Sequence, residues 1–379
     1  MRSGRQSSEI DVTPVQSPAD LKAFIDLPWT IYRNNPHWVP PLRRDVKKRL
    51  DTSQYPFFDH ADAEFLIARR EGRVVGRIVA IKNDAHIDFH EEQVGFFGFF
   101  ESVEDPEVAA ALFSHAAQWL KGHKLQVMRG PVNYSTNDDC GLLVEGFDSS
   151  PMIMMPYNPP YYLDLIEGFG FEKAKDLLAY EITDEVQVPE RLERTVQWIK
   201  KRKNITIRPL VKKQINQEIQ RVKEIYNAAW EKNWGFIPMT DKEIDHMAQE
   251  LIQIIDPDLL LFAEIEEEPV AFVLALPDFY VALKHANGRL FPLGLLKILW
   301  HSRKIDTARV LAFGIKKKYR QQGIDALMYY EAYKTGVAKG YRRGEMSWIL
   351  EDNTLMNRAL ENMGATLYKR YRIYDYPLS

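Results

Sequence analysis

Apolar residues recur along the chain in alternating and helical patterns, and the order of these patterns repeats once. Alternating runs predict a β-hairpin over 63–82, a continuous apolar run predicts a buried strand over 94–100, and helical spacing follows Pro106. The second half shows a hairpin over 259–276 and a buried strand over 309–315, again followed by helical spacing. The pattern therefore predicts two tandem copies of one α/β fold.

The stretch 309–340 has the most distinctive pattern. The apolar run ARVLAFGI predicts a buried strand with a bulge near its glycine, and KKKYRQQG predicts a cationic turn. A helix from Ile324 to Gly340 follows, so its first N–H groups and its positive dipole end point at the turn. This arrangement predicts a pocket for a phosphorylated ligand. A solvated basic turn without a ligand is the alternative of about equal weight.

The elements that follow resemble the GNAT acyltransferase superfamily. GEMSWIL predicts another strand, a helix runs from Asn353 to Asn362, Gly364 closes this helix, and a last strand ends the chain. The resemblance covers about residues 258–378. The matching residues are Ile315, Tyr319, Arg320, Gly323, Asn353 and Gly364.

The resemblance implies two GNAT-like domains with mixed sheets flanked by helices, and coenzyme A or acyl-CoA as the co-substrate. In that family the turn holds the pyrophosphate, while the preceding strand splays from its neighbour and its backbone binds the pantetheine and the thioester carbonyl. The residues implied to contact coenzyme A are Phe313, Gly314, Ile315, Arg320, Gln321, Gln322, Gly323, Ile324, Asp325 and Asn353.

Two residues depart from the family pattern. Asp325 stands where the family has glycine or alanine, and it adds negative charge near the pyrophosphate. Leu360 stands where many members have the tyrosine that protonates the thiolate, so this proton must come from elsewhere or is not supplied. The candidate acids are Tyr319, Tyr329, Tyr330 and Tyr368.

The end of the strand GEMSWIL carries carboxylates beside the expected thioester. Glu351 or Asp352 can take the proton of an attacking amine, directly or through water. Capping of the next helix by Asp352 or Asn353 is the alternative. The predicted catalytic residues are Glu351, Asp352, Asn353 and Tyr319.

The first copy differs at the corresponding turn. Its segment 101–105 is acidic and contains neither a basic residue nor glycine, so it should repel a pyrophosphate. The long segment 133–162 is predicted to form one wall of the substrate cleft, or else a chain of Asx turns with aromatic packing. Trp230, Trp234 and Phe236 form an aromatic group in the second copy, with core packing as its alternative. The predicted substrate-binding residues are Asn133, Ser135, Asn137, Tyr157, Asn158 and Trp234.

Length and charge limit the remaining classes. The 379 residues are divided into a disordered tail over 1–9, a degenerate domain over 10–183, a linker with a basic helix over 184–209, and an acyl-CoA domain over 210–379. A net charge of −3 argues against a nucleic-acid binder, and the single Cys140 excludes a disulfide framework. No metal site is predicted. The absence of a signal peptide or an 18-residue apolar run predicts a soluble, cytoplasmic protein.

These features predict an acyl-CoA-dependent N-acyltransferase that acts on a primary amine. The whole chain is similar to tandem GNAT-type proteins of bacteria, some of which resemble bacterial ceramide synthases that acylate a long-chain sphingoid base. An inactive GNAT pair that senses acyl-CoA and an acetyltransferase for a small polar amine stay open as alternatives. An apolar insertion over 289–304 is predicted to touch a membrane or, equally, to pack on the first copy.

Overall fold

A computed structural model describes residues 9–230 and 233–378, and these form two compact units. The first contains the described residues through Asp176, together with Asn287–Arg289 and 371–378. The second contains Leu177–Ala286 and Leu290–Arg370. The last strand of the chain therefore contributes its end to the first unit. Of the predicted tail over 1–9, all but Glu9 lies outside the described residues.

The first unit is built around a mixed sheet. Its strands follow the order β1-β2-β3-β4-β5-β13, and all neighbours are antiparallel except β4 and β5. Its elements are β1 (Ile10–Pro14), α1 (Pro18–Ile31), α2 (Arg43–Arg49), β2 (Ala61–Arg70), β3 (Arg73–Asn83), α3 (Asp84–His90), β4 (Val94–Ser102), α4 (Pro106–Gly122), β5 (Val127–Gly130), β6 (Leu142–Glu145), α5 (Tyr162–Phe169), the start of β7 (Glu172–Thr183) and the end of β13 (Thr366–Pro377).

The sequence of helix α4 explains where this helix begins and which of its faces packs on the sheet. Asp105 caps the helix and Pro106 occupies its first turn, where a missing N–H costs nothing. Its apolar residues lie three and four positions apart, so one face is buried against the sheet. The buried side chains of this face are Val108, Ala109, Leu112, Phe113, Ala116, Ala117 and Leu120.

The second unit has the same plan. Its strands follow the order β8-β9-β10-β11-β12-β7, with β11 and β12 parallel and joined through α11. Its elements are the end of β7, α6 (Glu190–Arg202), β8 (Ile205–Pro209), α7 (Ile215–Trp230), α8 (Asp241–Leu251), β9 (Leu260–Ile265), β10 (Glu268–Pro277), α9 (Tyr280–Leu283), α10 (Gly294–Ser302), β11 (Thr307–Ile315), α11 (Ile324–Ala338), β12 (Arg343–Leu350), α12 (Thr354–Asn362) and the start of β13.

Residues of the predicted linker belong to the core of this unit. Val196 and Ile199 of α6 and Ile205 of β8 pack in one cluster with Ile324 and Leu327 of α11. The basic helix predicted in the linker is confirmed as α6. Helix α6 also bears on the site, because Ile199 lies against Gly323 in the turn that precedes α11.

The predicted bulge lies at a different residue from the one that the glycine suggested. Leu274 is opposite Ala312 and Ala275 is opposite Val310, so the extra residue of β11 is Leu311. Gly314 has another role: a Cβ there would come within 3.1 Å of Phe272 and of Ile225 on α7. Its missing side chain allows α7 to pack closely on the sheet.

Candidate active site

Strands β11 and β12 separate at the point where the site is expected. They are paired from Thr307 with Arg343 to Val310 with Met346, and no further pairing between them is found in the described chain. The rest of β11 stays paired with β10, and the N–H of Lys316 donates to the carbonyl of Val270 at 3.0 Å. Because backbone groups alternate in direction along a strand, those of Phe313 face the gap left by β12.

The N-terminus of α11 is closed by glycine rather than by a polar side chain. Gly323 has a φ of 76°, and a Cβ there would come within 2.5 Å of Ile199. Both facts require glycine. In the described chain no side chain caps the first N–H groups of α11, so the positive dipole end is available to an anion. Ile324, the first residue of α11, is buried, and Asp325 lies half-buried in the first turn of the helix. Gln321, in the turn before the helix, has a φ of 57°.

Arg320 and Gln322 of the turn bond to other parts of the second unit. Arg320 donates through Nε to the carbonyl of Ile315 at 3.4 Å and through the terminal nitrogen Nη2 to the carbonyl of Ala229. The side-chain oxygen of Gln322 accepts from Lys203 at 2.6 Å. Arg320 therefore fastens the turn to the end of β11 and to α7 in this structure.

The lysines of the turn fall into two groups. Lys316 forms ion pairs with Glu224 at 2.6 Å and Glu268 at 3.1 Å, so its charge is neutralised locally. Lys317 and Lys318 are exposed. Their exposure makes both side chains accessible to a phosphate group in solvent.

The end of β12 forms the start of the next helix. Asn353 caps α12, and its Oδ1 accepts a hydrogen bond from the N–H of Met356 at 3.3 Å. Asn357 donates to the carbonyl of Glu351 at 3.2 Å, and Asp352 is exposed. The capping alternative is thus realised by Asn353, while both predicted carboxylates lie at the end of β12.

The candidate tyrosine acids differ in their partners. Tyr319 donates to Glu268 at 2.8 Å, and Tyr330 donates to Glu193 at 2.6 Å. The hydrogen bond to Glu193 and burial raise the pKa of Tyr330 to about 12. Burial also raises the pKa of Tyr329, whose ring is enclosed. Of these three, only the half-buried Tyr319 lies in the turn itself.

A buried polar network not predicted from the sequence lies one residue before the strands separate. Arg309 of β11 is in register with Glu345 of β12, and its Nε donates to Ser347 Oγ at 2.7 Å. The hydroxyls of Ser347 and Tyr368 both donate to the Glu345 carboxylate. Burial raises the pKa of Glu345, and the charge of Arg309 opposes this shift only in part. The available signal was one charged residue inside each of the runs ARVLAFGI and GEMSWIL.

An apolar cavity lies between α11 and the sheet of the second unit. Its empty space, including its opening to solvent, is about 780 Å³. Val310 and Met346, the last paired residues of β11 and β12, both line it. Tyr329 and Ala332 of α11 and Leu360 of α12 also line it. The cavity therefore begins where the strands separate.

In the first unit the corresponding gap is closed by the chain itself. Strands β4 and β5 are paired only as far as Phe96 and Arg129. Beyond that point the N–H of Val132 donates to the carbonyl of Phe97 at 2.8 Å, and the N–H of Phe99 donates to Asn133 Oδ1 at 2.7 Å. Phe99 follows the last pair by three residues, as Phe313 does in the second unit.

The N-terminus of α4 is also occupied. The Asp105 carboxylate accepts from the N–H of Glu107 at 2.9 Å and pairs with Arg70 at 2.6 Å. Burial acts to raise the pKa of Asp105, but the hydrogen bonds from Arg70 and Glu107 outweigh it and lower the pKa below its usual value. A carboxylate of the protein thus stands where a ligand phosphate would bind.

Four of the predicted substrate-binding residues hold the 133–162 segment together. Asn158 accepts from the N–H of Leu143 at 2.7 Å and donates back to its carbonyl at 3.2 Å. Ser135 Oγ accepts from the N–H of Asn137 at 3.1 Å. Asn133 accepts from Phe99 of β4, so the hydrogen bonds of these four residues fix the conformation of the segment and attach it to the sheet.

The other two predicted residues are placed separately. Tyr157 donates to the carbonyl of Phe147 at 3.1 Å in the first unit, where it lines an open groove with Asn35. Trp234 is half-buried and belongs to the second unit, as does Phe236. The side chain of Trp230 lies outside the described residues. The role of these residues in substrate binding stays a prediction.

Metal-ligating residues do not gather in the described ranges. Within 9–230 and 233–378, no three His, Cys, Asp or Glu side chains form a group that could hold a metal ion. Cys140 is buried, and His86 bonds to Glu92 at 2.8 Å. Burial lowers the pKa of His86 to about 4, so its ring is neutral at physiological pH.

The fold is that of the tandem GNAT proteins. A tandem GNAT protein from the clavulanic acid biosynthesis pathway matches 98% of this chain and 99% of its own, with a TM-score of 0.56 and 12% identity. A GCN5-related N-acetyltransferase from Sphaerobacter thermophilus matches 97% and 96%, with a TM-score of 0.51 and 14% identity. The predicted fold class and the resemblance to GNAT acyltransferases are therefore confirmed.

Sequence comparison gives a narrower assignment. Protein YghO of Escherichia coli K12 is 38% identical over 94% of this chain and 92% of its own length. The bacterial ceramide synthase of Caulobacter vibrioides is 36% identical over 98% of both chains. The chain belongs to the family that includes these two proteins. No protein-family model matches it. Together these findings support acyltransferase chemistry.

Proposed function

We propose that the second unit binds acyl-CoA and transfers its acyl group to a primary amine. The observation that carries this proposal is the gap between β11 and β12 beside the glycine-capped α11. In the first unit, by contrast, Asn133 and Asp105 fill the corresponding positions. The pantetheine would lie in the gap, and the pyrophosphate would meet the first N–H groups of α11.

The proposed reaction uses the backbone of β11 and the end of β12. The N–H of Phe313 stabilises the oxyanion as the amine attacks the thioester carbonyl. The C–N bond forms, the C–S bond breaks, and the proton of the amine passes to Glu351 or Asp352, directly or through water. The thiolate of coenzyme A leaves and takes a proton, for which Tyr319 is the candidate donor in the turn.

The apolar cavity supports a long acyl chain. A thioester carbonyl bound at the N–H of Phe313 would lie close to Val310, which precedes Phe313 by three residues and lines the cavity. The ring of Phe313 also contacts Tyr329, another wall residue, at 4.6 Å between centroids. An acyl chain leaving the thioester would therefore enter apolar surroundings. The name of the ceramide synthase relative favours a long-chain, sphingoid-type amine as the acceptor.

The direct test is a matrix of acyl donors and amines with the full-length chain. Acyl-CoAs of 2 to 16 carbons are combined with sphinganine or with a small polar amine, and thiol release and the amide product are measured. We expect an amide from long-chain donors with sphinganine. Ala332→Phe, which narrows the cavity, should shift the preference to shorter donors and leave acetyl transfer intact. Acetylation of the small amine alone would contradict the long-chain assignment.

A binding role without turnover is the second candidate. Leu360 is 1% exposed and packs in the core with Ile349 and Met363, so this position offers no proton to the thiolate. Asp325 also places a negative charge in the first turn of α11. If the protein binds acyl-CoA tightly but releases no thiol with any of the amines tested, an acyl-CoA sensor or scaffold would be favoured over an enzyme.

A further inference from the structure

The insertion between β10 and β11 carries an exposed apolar surface. Six large apolar side chains within ten residues are between 44% and 79% exposed, whereas the other exposed large apolar residues of the described chain are scattered. Such a concentration marks an interaction site. These six residues, the insertion surface, are Phe291, Leu293, Leu295, Leu296, Leu299 and Trp300.

Helix α10 presents its apolar arc outward. At about 100° per residue, Leu295, Leu299, Leu296 and Trp300 span an arc of about 140° on one side of the helix. A helix in a globular protein normally turns such an arc toward the core. Here α10 packs through its other side on α9 and the short turn after it, with His301 stacked on His285 at 3.5 Å.

The charges beside this arc are mostly positive. Residues 290–305 contain Lys297, Arg303 and Lys304 and no Asp or Glu, and the exposed Asp306 follows them, in a chain with a net charge of −3. All three cations are exposed. Burial and the nearby charges of His301, Lys284, Lys297 and Lys304 lower the pKa of His285, which indicates that the cations gather in space.

We propose that the insertion surface docks on a lipid bilayer that contains anionic head groups. Apolar side chains that include tryptophan and phenylalanine would enter the interface, while the lysines and arginine would meet the head groups. A protein partner would need matching acidic groups around an apolar groove, and the predominantly positive charge with an outward convex arc fits a bilayer better. None of the helices in the described chain is long and apolar enough to cross a membrane.

The end of the insertion, six residues after Trp300, lies next to the cavity. The carbonyl of Asp306, which ends the insertion, accepts from the N–H of Arg342 at 2.7 Å, and Arg342 lines the cavity. The docking inference does not depend on the proposed acyl transfer, since vesicle binding is measured without substrate.

The test is flotation of the full-length chain with vesicles of phosphatidylcholine alone or with 30% phosphatidylglycerol. We expect flotation with the mixed vesicles, weaker flotation with neutral ones, and at least a tenfold loss in Leu299→Ser/Trp300→Ser with an unchanged melting temperature. The matched control is Trp198→Ser/Leu355→Ser, which removes two exposed apolar side chains elsewhere and should float like the parent.

Three results would overturn the inference. One is a parent protein that floats with neither vesicle. Another is equal loss of flotation in the control variant. The third is a fall of several degrees in the melting temperature of Leu299→Ser/Trp300→Ser, because the surface would then be covered by other parts of the protein.

Discussion

The two units share an order of elements but differ at the end of their core strands. In the first, Asn133 takes up the N–H of Phe99 and Asp105 caps α4. In the second, the pairing of β11 with β12 ends at Val310 and Met346 in the described chain, and Gly323 caps α11 without a side chain. The fold alone therefore does not define a ligand site, because a few polar side chains can satisfy the same backbone groups.

Charge reversal at the turn of the second unit should have the largest effect. Lys317→Glu/Lys318→Glu places two carboxylates beside the proposed pyrophosphate, and we expect coenzyme A affinity to fall about a hundredfold in calorimetry. Arg320 is less suitable for this test, since it holds the turn through backbone carbonyls.

A matched charge reversal in the first unit serves as the control. Lys121→Glu/Lys124→Glu changes two exposed lysines near the end of α4. Its affinity for coenzyme A should equal that of the parent. Equal losses in both variants would mean that net charge, rather than the turn, governs binding.

Asn353→Ser separates helix capping from a role in turnover. Serine retains an oxygen that can cap α12, so the melting temperature should stay close to that of the parent. Because the amide donor is lost, we expect acyl transfer to slow at least about tenfold. Full turnover in this variant would mean that Asn353 acts only as the cap, and Asn353→Ala should then lower stability alone.

Removing the side chain that fills the gap in the first unit should lower stability without creating a coenzyme A site. Asn133→Ala leaves the buried N–H of Phe99 without its acceptor, which should lower the free energy of unfolding by about 1–3 kcal/mol. Asn133→Asp retains an acceptor oxygen and should recover most of the loss. Denaturant unfolding measures both, and a second coenzyme A site in Asn133→Ala would contradict the role assigned to Asp105.

The smallest predicted effect concerns the buried network. Burial raises the pKa of Glu345, so the folded protein holds this proton more tightly than the unfolded chain does. The stability that the protonated Glu345 adds is fully present below about pH 4.5, the ordinary pKa of the unfolded chain. It is lost as the pH rises through the raised pKa of the folded protein. The melting temperature of Glu345→Gln minus that of the parent should therefore increase by a few degrees, roughly, when the pH is raised from about 4.5 to about 7.5. A pH-independent difference would contradict the shift.

Local patterns were sufficient to predict the elements around the site. The apolar runs of β11 and β12 and the helical spacing of α11 depend on residues close in sequence. Gly323 was predictable for the same reason, because a turn into a helix often needs a positive φ.

Features that depend on register or on distant residues were not predictable. Arg309 meets Glu345 only through the alignment of β11 with β12, and Arg320 bonds to a carbonyl 91 residues away. The hydrogen bond from the N–H of Phe99 to Asn133 likewise depends on how the chain returns after β5. Single-sequence patterns contain no information about such pairings.

Hydrogen exchange with and without coenzyme A tests the central claim most directly. The claim is that the ligand binds the second unit alone, through the end of β11 and the start of α11. We predict added protection of amides over 313–327 and none over 97–109, with one ligand bound per chain. Protection over 97–109, or protection of both regions with two ligands per chain, would contradict it.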